Sequence, residues 1–182
     1  MNTCKLIIIA ILTFSLTDAY SQNKDQEIKS SKAEKKIELQ QQIEKLILAK
    51  QFVFIATRAF PTGWQSIDLV THTNYVKFTP TFIDSYMPFF GQAYSVDYLT
   101  DTGLQFNGKP EVFTITRLKK NRGYDILIKV RSTRDTYDLR LDVGLEGNSN
   151  LTISCFNRSS ISYNGEITPL EESDLQELLH KR

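Results

Sequence analysis

Cysteine, histidine and tryptophan are scarce in this chain, and their scarcity closes off whole classes of chemistry. The two cysteines are Cys4 and Cys155. Cys4 lies in a segment expected to be removed, so Cys155 is left alone and no internal disulfide can form. The fold must therefore rest on its core and not on covalent staples. Only two histidines, His72 and His180, are present. Neither belongs to a cysteine–histidine–carboxylate group with zinc-site spacing, so no metal or other cofactor is expected. An enzyme is not expected either. A nucleophile needs a base within reach, whereas His72 stands between Thr71 and Thr73 at a strand junction and His180 lies near the C-terminus. Asp97, Asp101 and Gly103 hold too few carboxylates for a calcium loop and read as a plain turn.

An excess of one charge is lacking as well. Twenty-two basic residues face twenty-one acidic ones, a net charge of +1, with none of the basic stripe that a nucleic-acid binder shows. Lys119, Lys120 and Arg122 do cluster, but they surround Asn121 and Gly123 and read as a hairpin tip. A long apolar run is also missing. The best candidate, Leu6 to Leu16, falls short of the roughly 20 residues that a spanning helix needs.

What stands at the N-terminus has a clear meaning. Lys5 precedes that apolar run, and small residues follow to Ala19-Tyr20-Ser21. A basic start, a short apolar centre and a small-x-small exit make a secretory signal peptide over residues 1–21. The mature chain is expected to begin at Gln22, without a transmembrane anchor and in the periplasm or outside the cell. Its charge is unchanged, because Lys5 and Asp18 leave together.

Residues 22–32 are polar and lysine-rich and read as a flexible leader. The rest, 33–182, is expected to be one domain. From Ala33 to Lys50, Leu39, Ile43, Leu46 and Ile47 share one helical face, with Ile37 and Leu48 off it. The period then switches to two. Gln51–Ala59, Trp64–Thr71, Asn74–Thr79 and Phe82–Tyr86 read as strands, Met87–Gly108 as an irregular aromatic stretch. Glu111–Leu118 and Tyr124–Arg131 flank a five-residue turn. Asp135–Val143 alternates without a fault, with Tyr137, Leu139, Leu141 and Val143 inward. Leu151, Ile153 and Cys155 line the next strand, making Cys155 a buried thiol, and Ile161 with Tyr163 marks the last. Asn107-Gly108 and Asn164-Gly165 look like tight turns. Thr168-Pro169-Leu170-Glu171 looks like a helix start with a capping box, leading into a stripe of Leu175, Leu178 and Leu179. Alternation on one face over many consecutive strands predicts a mainly β fold. The expectation is an antiparallel meander curled into a barrel or sandwich, with an N-terminal helix and a short C-terminal one.

Four segments then carry a resemblance: Ser85-Tyr86-Met87-Pro88-Phe89-Phe90-Gly91-Gln92-Ala93-Tyr94-Ser95, Leu104-Gln105-Phe106-Asn107-Gly108, Asp135-Thr136-Tyr137, and Ser160 to Ile167. In this order and spacing the chain resembles the exported bacterial family known as domain of unknown function 4251, over roughly Ala33 to Ile167. The resemblance implies an envelope or secreted location in Gram-negative bacteria and supplies no catalytic residues.

The aromatic segment is the candidate site. Tyr86, Phe89, Phe90, Tyr94 and Tyr98 could form a ligand platform at the lip of a barrel; alternatively they close the open end of the sheet and complete the core. The expected function is a non-enzymatic periplasmic binding module for an apolar or amphipathic small molecule. The alternative is a module that docks an envelope protein.

Overall fold

The computed structural model describes residues 32–94, 103–133 and 135–180. The expected signal peptide, the leader as far as Ser31, and Tyr98 lie outside the described residues. The chain divides into two units, 1–39 and 40–182. The described part of the first is helical from residue 32, with Ile37 and Leu39 exposed. The second holds the strands and the hydrophobic core.

Helix α1, residues 32–49, ends where Lys50 takes a left-handed conformation (φ 55°). The Lys50 and Gln51 amides donate to the carbonyls of Ile47 (3.0 Å) and Leu46 (3.2 Å), the pairing that closes a helix terminus before a reversal. A lysine serves here, where glycine is usual, because its ammonium is used: Nζ donates to the Phe113 carbonyl (3.1 Å) and lies 4.7 Å from the centre of the Phe113 ring. Ile43 and Ile47 are buried in the core, and Leu46 packs against it. Leu48 is exposed, so nothing described covers that face. Gly147, at φ 90°, makes room for Ile43: a Cβ there would come within 2.9 Å of Ile43 Cδ1.

The strands are β1 (Phe52–Pro61), β2 (Ile67–Asp68), β3 (Tyr75–Phe78), β4 (Ile83–Pro88), β5 (Gly103–Gly108), β6 (Pro110–Arg117), β7 (Tyr124–Arg131), β8 (Thr136–Val143), β9 (Asn148–Ser154) and β10 (Ile161–Thr168), followed by α2 (Glu172–His180). They form one antiparallel sheet in the order β5-β4-β3-β1-β10-β9-β8-β7-β6, with β2 pairing only to β1. Two meanders thus meet on β1. The sheet curls until its ends approach, a nearly closed barrel. The chain passes from β5 into β6 through Lys109 alone, and Gly108 sits so close to β7 that a Cβ would meet the Arg131 carbonyl at 2.7 Å. Rings bridge the gap: Phe106 stacks on Tyr137 at 3.9 Å, and Phe78 meets the edge of Phe113 at 6.4 Å.

The expected alternation holds on β7 and β8, where Tyr124, Ile126, Ile128, Val130, Tyr137, Leu139, Leu141 and Val143 are all buried. On β1 the inward phase changes between Ala56 and Arg58, where a bulge leaves Thr57 out of register. Before the bulge Phe52, Phe54 and Ala56 point inward, while on the outer face Val53 is buried and Ile55 is exposed. Asn74, buried, replaces the missing strand partner: its side chain accepts from the Ala56 amide (2.7 Å) and donates to the Ala56 carbonyl (3.0 Å).

Several expectations need correction. The Trp64–Thr71 strand shrinks to Ile67–Asp68, since Gly63 (φ 80°) and Trp64 complete a turn onto Pro61. The irregular stretch Met87–Gly108 contains β5 and the end of β4. Asn164-Gly165 is not a turn but mid-strand in β10, where a Cβ on Gly165 would strike the Ile55 carbonyl of β1. Thr168 ends β10 and caps nothing; the helix starts only at Glu172, with Asp174 Oδ2 accepting from the Glu171 amide at 3.2 Å. Leu178 of its stripe is buried, while the side chains of Leu175 and Leu179 lie outside the described residues.

Cys155 is half-buried, because β9 stops at Ser154 and the thiol lies at the mouth of the following loop. Burial first, and then the Asp135 carboxylate, push its pKa up to about 11. The thiolate is the reactive form. Labelling of the native protein by a maleimide should therefore be slow at neutral pH, accelerate towards pH 11, and become fast at neutral pH only in denaturant. Rapid native labelling at neutral pH would contradict the packing described for this thiol.

Candidate binding site

The outer face of β3, β4 and β5 carries two side-chain rows set by register. One row is Tyr75, Tyr86 and Gln105; the next is Lys77, Asp84 and Asn107. Tyr75 and Tyr86, directly opposite each other, stack with ring centres 5.8 Å apart and planes 23° apart. Tyr86 stays 42% exposed, and Gln105 and Asn107 are exposed beside it. In the second row Lys77 is buried, its ammonium 2.8 Å from the Asp174 carboxylate of α2 and 4.7 Å from the centre of the Tyr75 ring. Ser132 and Thr133, from the β7–β8 turn, face these rows across an open groove of about 310 Å³ that Tyr75, Asp84, Ser85, Tyr86, Gln105, Phe106 and Asn107 also line.

The five aromatic candidates therefore separate. Tyr86 lines this groove. Phe89 and Phe90 are half-buried and packed against the core. Phe89 lies under the guanidinium of Arg158, 5.0 Å from the ring centre, and Arg158, only 3% exposed, donates from Nη1 to the Gly103 carbonyl at 2.6 Å. Tyr163 donates to the Pro88 carbonyl at 2.7 Å, and burial raises its pKa. These contacts tie the end of β4 to the start of β5, to the β9–β10 loop and to β10. Tyr94 is elsewhere again, 66% exposed, its amide donating to the Asn157 carbonyl at 2.8 Å. Phe156, the residue before Asn157, is 88% exposed, and Trp64, in a turn held by the bond from Thr62 Oγ1 to the Ser160 carbonyl (2.8 Å), is 75% exposed.

Sequence reasoning missed Tyr75, Gln105 and Asn107. A period-two reading of β3 and β5 puts each on the wet face, but only the strand register brings them to Tyr86. Two further clefts open on the outer face. One, of about 390 Å³, is walled by asparagines that already bond each other, Asn150 to Asn164 at 2.7 Å. The other, about 480 Å³, lies over Val112 and Leu127 and has no aromatic side chain in its lining. Among the described residues no group of histidine, cysteine and carboxylate side chains is arranged to hold a metal. Nor is any described helix long and apolar enough to cross a membrane.

The model of the family described as domain of unknown function DUF4251 matches residues 34–167. The chain belongs to this family. Its fold is similar to the crystal structure of a DUF4251 family protein from Bacteroides eggerthii, at a TM-score of 0.57 and 16% identity, with 79% of this chain and 94% of that one covered. No curated protein matches the chain. For this DUF4251 member the likeness establishes the fold, and its function must be argued from its own surface.

Proposed function

We propose that this chain is an exported, non-enzymatic binding module of the periplasm or cell exterior, a single domain after removal of residues 1–21, that takes an amphipathic small ligand in the groove beside Tyr86. One observation carries the reading: an exposed tyrosine, braced by a second ring, stands in a concave surface among amide and hydroxyl side chains. A ring face and convergent polar groups are what an amphipathic ligand requires. The barrel interior does not compete as a site, because its inward side chains form one buried cluster. The second reading, docking of an envelope protein, draws on Trp64, Tyr94 and Phe156, whose exposure on neighbouring loops is unusual for aromatic residues.

Saturation-transfer NMR on a mixed panel of amphipathic small molecules separates the two. The proposal expects contact signals that Tyr86→Ala removes and Tyr94→Ala leaves intact. Signals that survive Tyr86→Ala and vanish with Tyr94→Ala would move the site to the loop aromatics.

A further inference from the structure

We infer that the ligand of this groove is a neutral saccharide, lying with a C–H face of its ring on Tyr86 and its hydroxyl edge against the Gln105 and Asn107 amides. The inference rests on the proposed binding function of the groove, and three observations narrow it.

The first is where an apolar tail could go. Behind the groove, Val76, Ile83, Met87, Leu104 and Phe106 are already buried in the core. The aromatic surface offered outward is one ring wide, Tyr86 braced by Tyr75. An acyl chain needs a continuous apolar channel; a pyranose needs only a single aromatic face, whose negative π-surface attracts the ring's C–H groups.

The second is the placement of the polar groups. Gln105 is directly opposite Tyr86 in register, and Asn107 is opposite Asp84, one step further along the same face. Cross-strand neighbours of this kind stand about 5 Å apart and diagonal ones about 7 Å, the reach from a ring on Tyr86 to its own edge substituents. Each side-chain amide offers both a donor and an acceptor, as each sugar hydroxyl does. Ser132 and Thr133 bring two more hydroxyls to the opposite wall.

The third is charge. The cation nearest the rings, Lys77, is buried, 2.8 Å from the Asp174 carboxylate and opposite Asp84 in register, and Asp84, which lines the groove, is itself only 5% exposed. Among the described lining residues an anionic ligand would meet no ammonium or guanidinium, so the groove offers nothing to draw phosphate or carboxylate headgroups and favours a neutral ligand.

The test is a titration of the isotope-labelled chain, following the backbone amides of Tyr86, Gln105 and Asn107 by two-dimensional NMR. Two probe sets are used: neutral mono- and disaccharides (glucose, N-acetylglucosamine, maltose, lactose), and monomeric decylphosphocholine, an amphiphile without a sugar. We expect at least one saccharide to shift these amides at millimolar concentration, with affinity falling tenfold or more in Tyr86→Ala and several-fold in Asn107→Ala, while both variants keep the wild-type melting temperature. Should Tyr86→Ala misfold, Tyr86→Phe, expected to retain binding, and Asn107→Ala carry the comparison. Shifts from decylphosphocholine alone would overturn the saccharide assignment and leave a binding groove. No shift from either set would overturn both.

Discussion

Leu139→Asp is expected to abolish the folded β domain at ordinary temperatures. Leu139 is buried between Ile128 and Ile153, its cross-strand partners, with β7 on one side and β9 on the other. A carboxylate there has no described cation to meet and no water, and the cost of burying it, about 4 kcal/mol or more, is a large part of the whole stability of a domain this size. The control lies one residue along the strand. Arg140 points outward and is well exposed, its guanidinium donating to both carboxylate oxygens of the less exposed Asp125 at 3.2 and 3.0 Å, so Arg140→Ala should cost only about 1 kcal/mol. Urea unfolding followed by circular dichroism measures both. A Leu139→Asp protein with a wild-type midpoint would mean that the phase assigned to β8, and with it the inward face of the barrel, is wrong.

Ile47→Ala is expected to cost about 3 kcal/mol, the usual loss for a large side chain removed from a closed core. Ile47 is fully buried and belongs to the same cluster as the barrel residues, beside Ile43. The helix from residue 40 onward is thus part of the hydrophobic core. Deleting residues through Lys50 would take away Ile43, Ile47 and the Lys50 bond to the free edge of β6, and such a chain should not fold. Deleting residues 22–31 should leave the melting temperature unchanged. Leu48→Ala, on the exposed face of the same turn, should stay within about 0.5 kcal/mol of wild type. Equal melting temperatures for Ile47→Ala and Leu48→Ala would refute the docking.

Where one physical rule dominates, the sequence is easy to read. The second half of the chain obeys strict alternation because one face of β7 and β8 is packed and the other wet, and both strands stand where the period places them. The stripe of α1 is legible for the same reason from Ile43 to Ile47, whereas Leu39, expected on the same stripe, is exposed. Reading fails where long-range contacts override local pattern. Gly103 and Gly108 look like loop residues, yet they bound β5, where backbones approach too closely for a Cβ: 3.1 Å from the Met87 carbonyl and 2.7 Å from that of Arg131. Gly165 misleads in the same way. The residue before Pro169 looks like a cap, but pairing with Val53 holds Thr168 in the sheet, and Asp174 provides the cap further along.

The site is half legible. An aromatic cluster around Tyr86 is visible in the sequence, but sequence proximity groups Tyr86 with Phe89, Phe90 and Tyr94, which the fold sends to other places. Its true neighbours come from strands 11 and 19 residues away: Tyr75 by β3–β4 register and Gln105 by β4–β5 register. No local pattern encodes that meeting, since register depends on the turns and on the closure of the barrel.

A crystal structure of the full mature chain soaked with the saccharide that gives the largest shifts tests the central claim most directly. The account predicts a sugar ring stacked on the outer face of Tyr86, with hydroxyls within hydrogen-bonding distance of the Gln105 and Asn107 side chains. Density on the loop aromatics Trp64, Tyr94 and Phe156, with the groove beside Tyr86 holding only water, would contradict it.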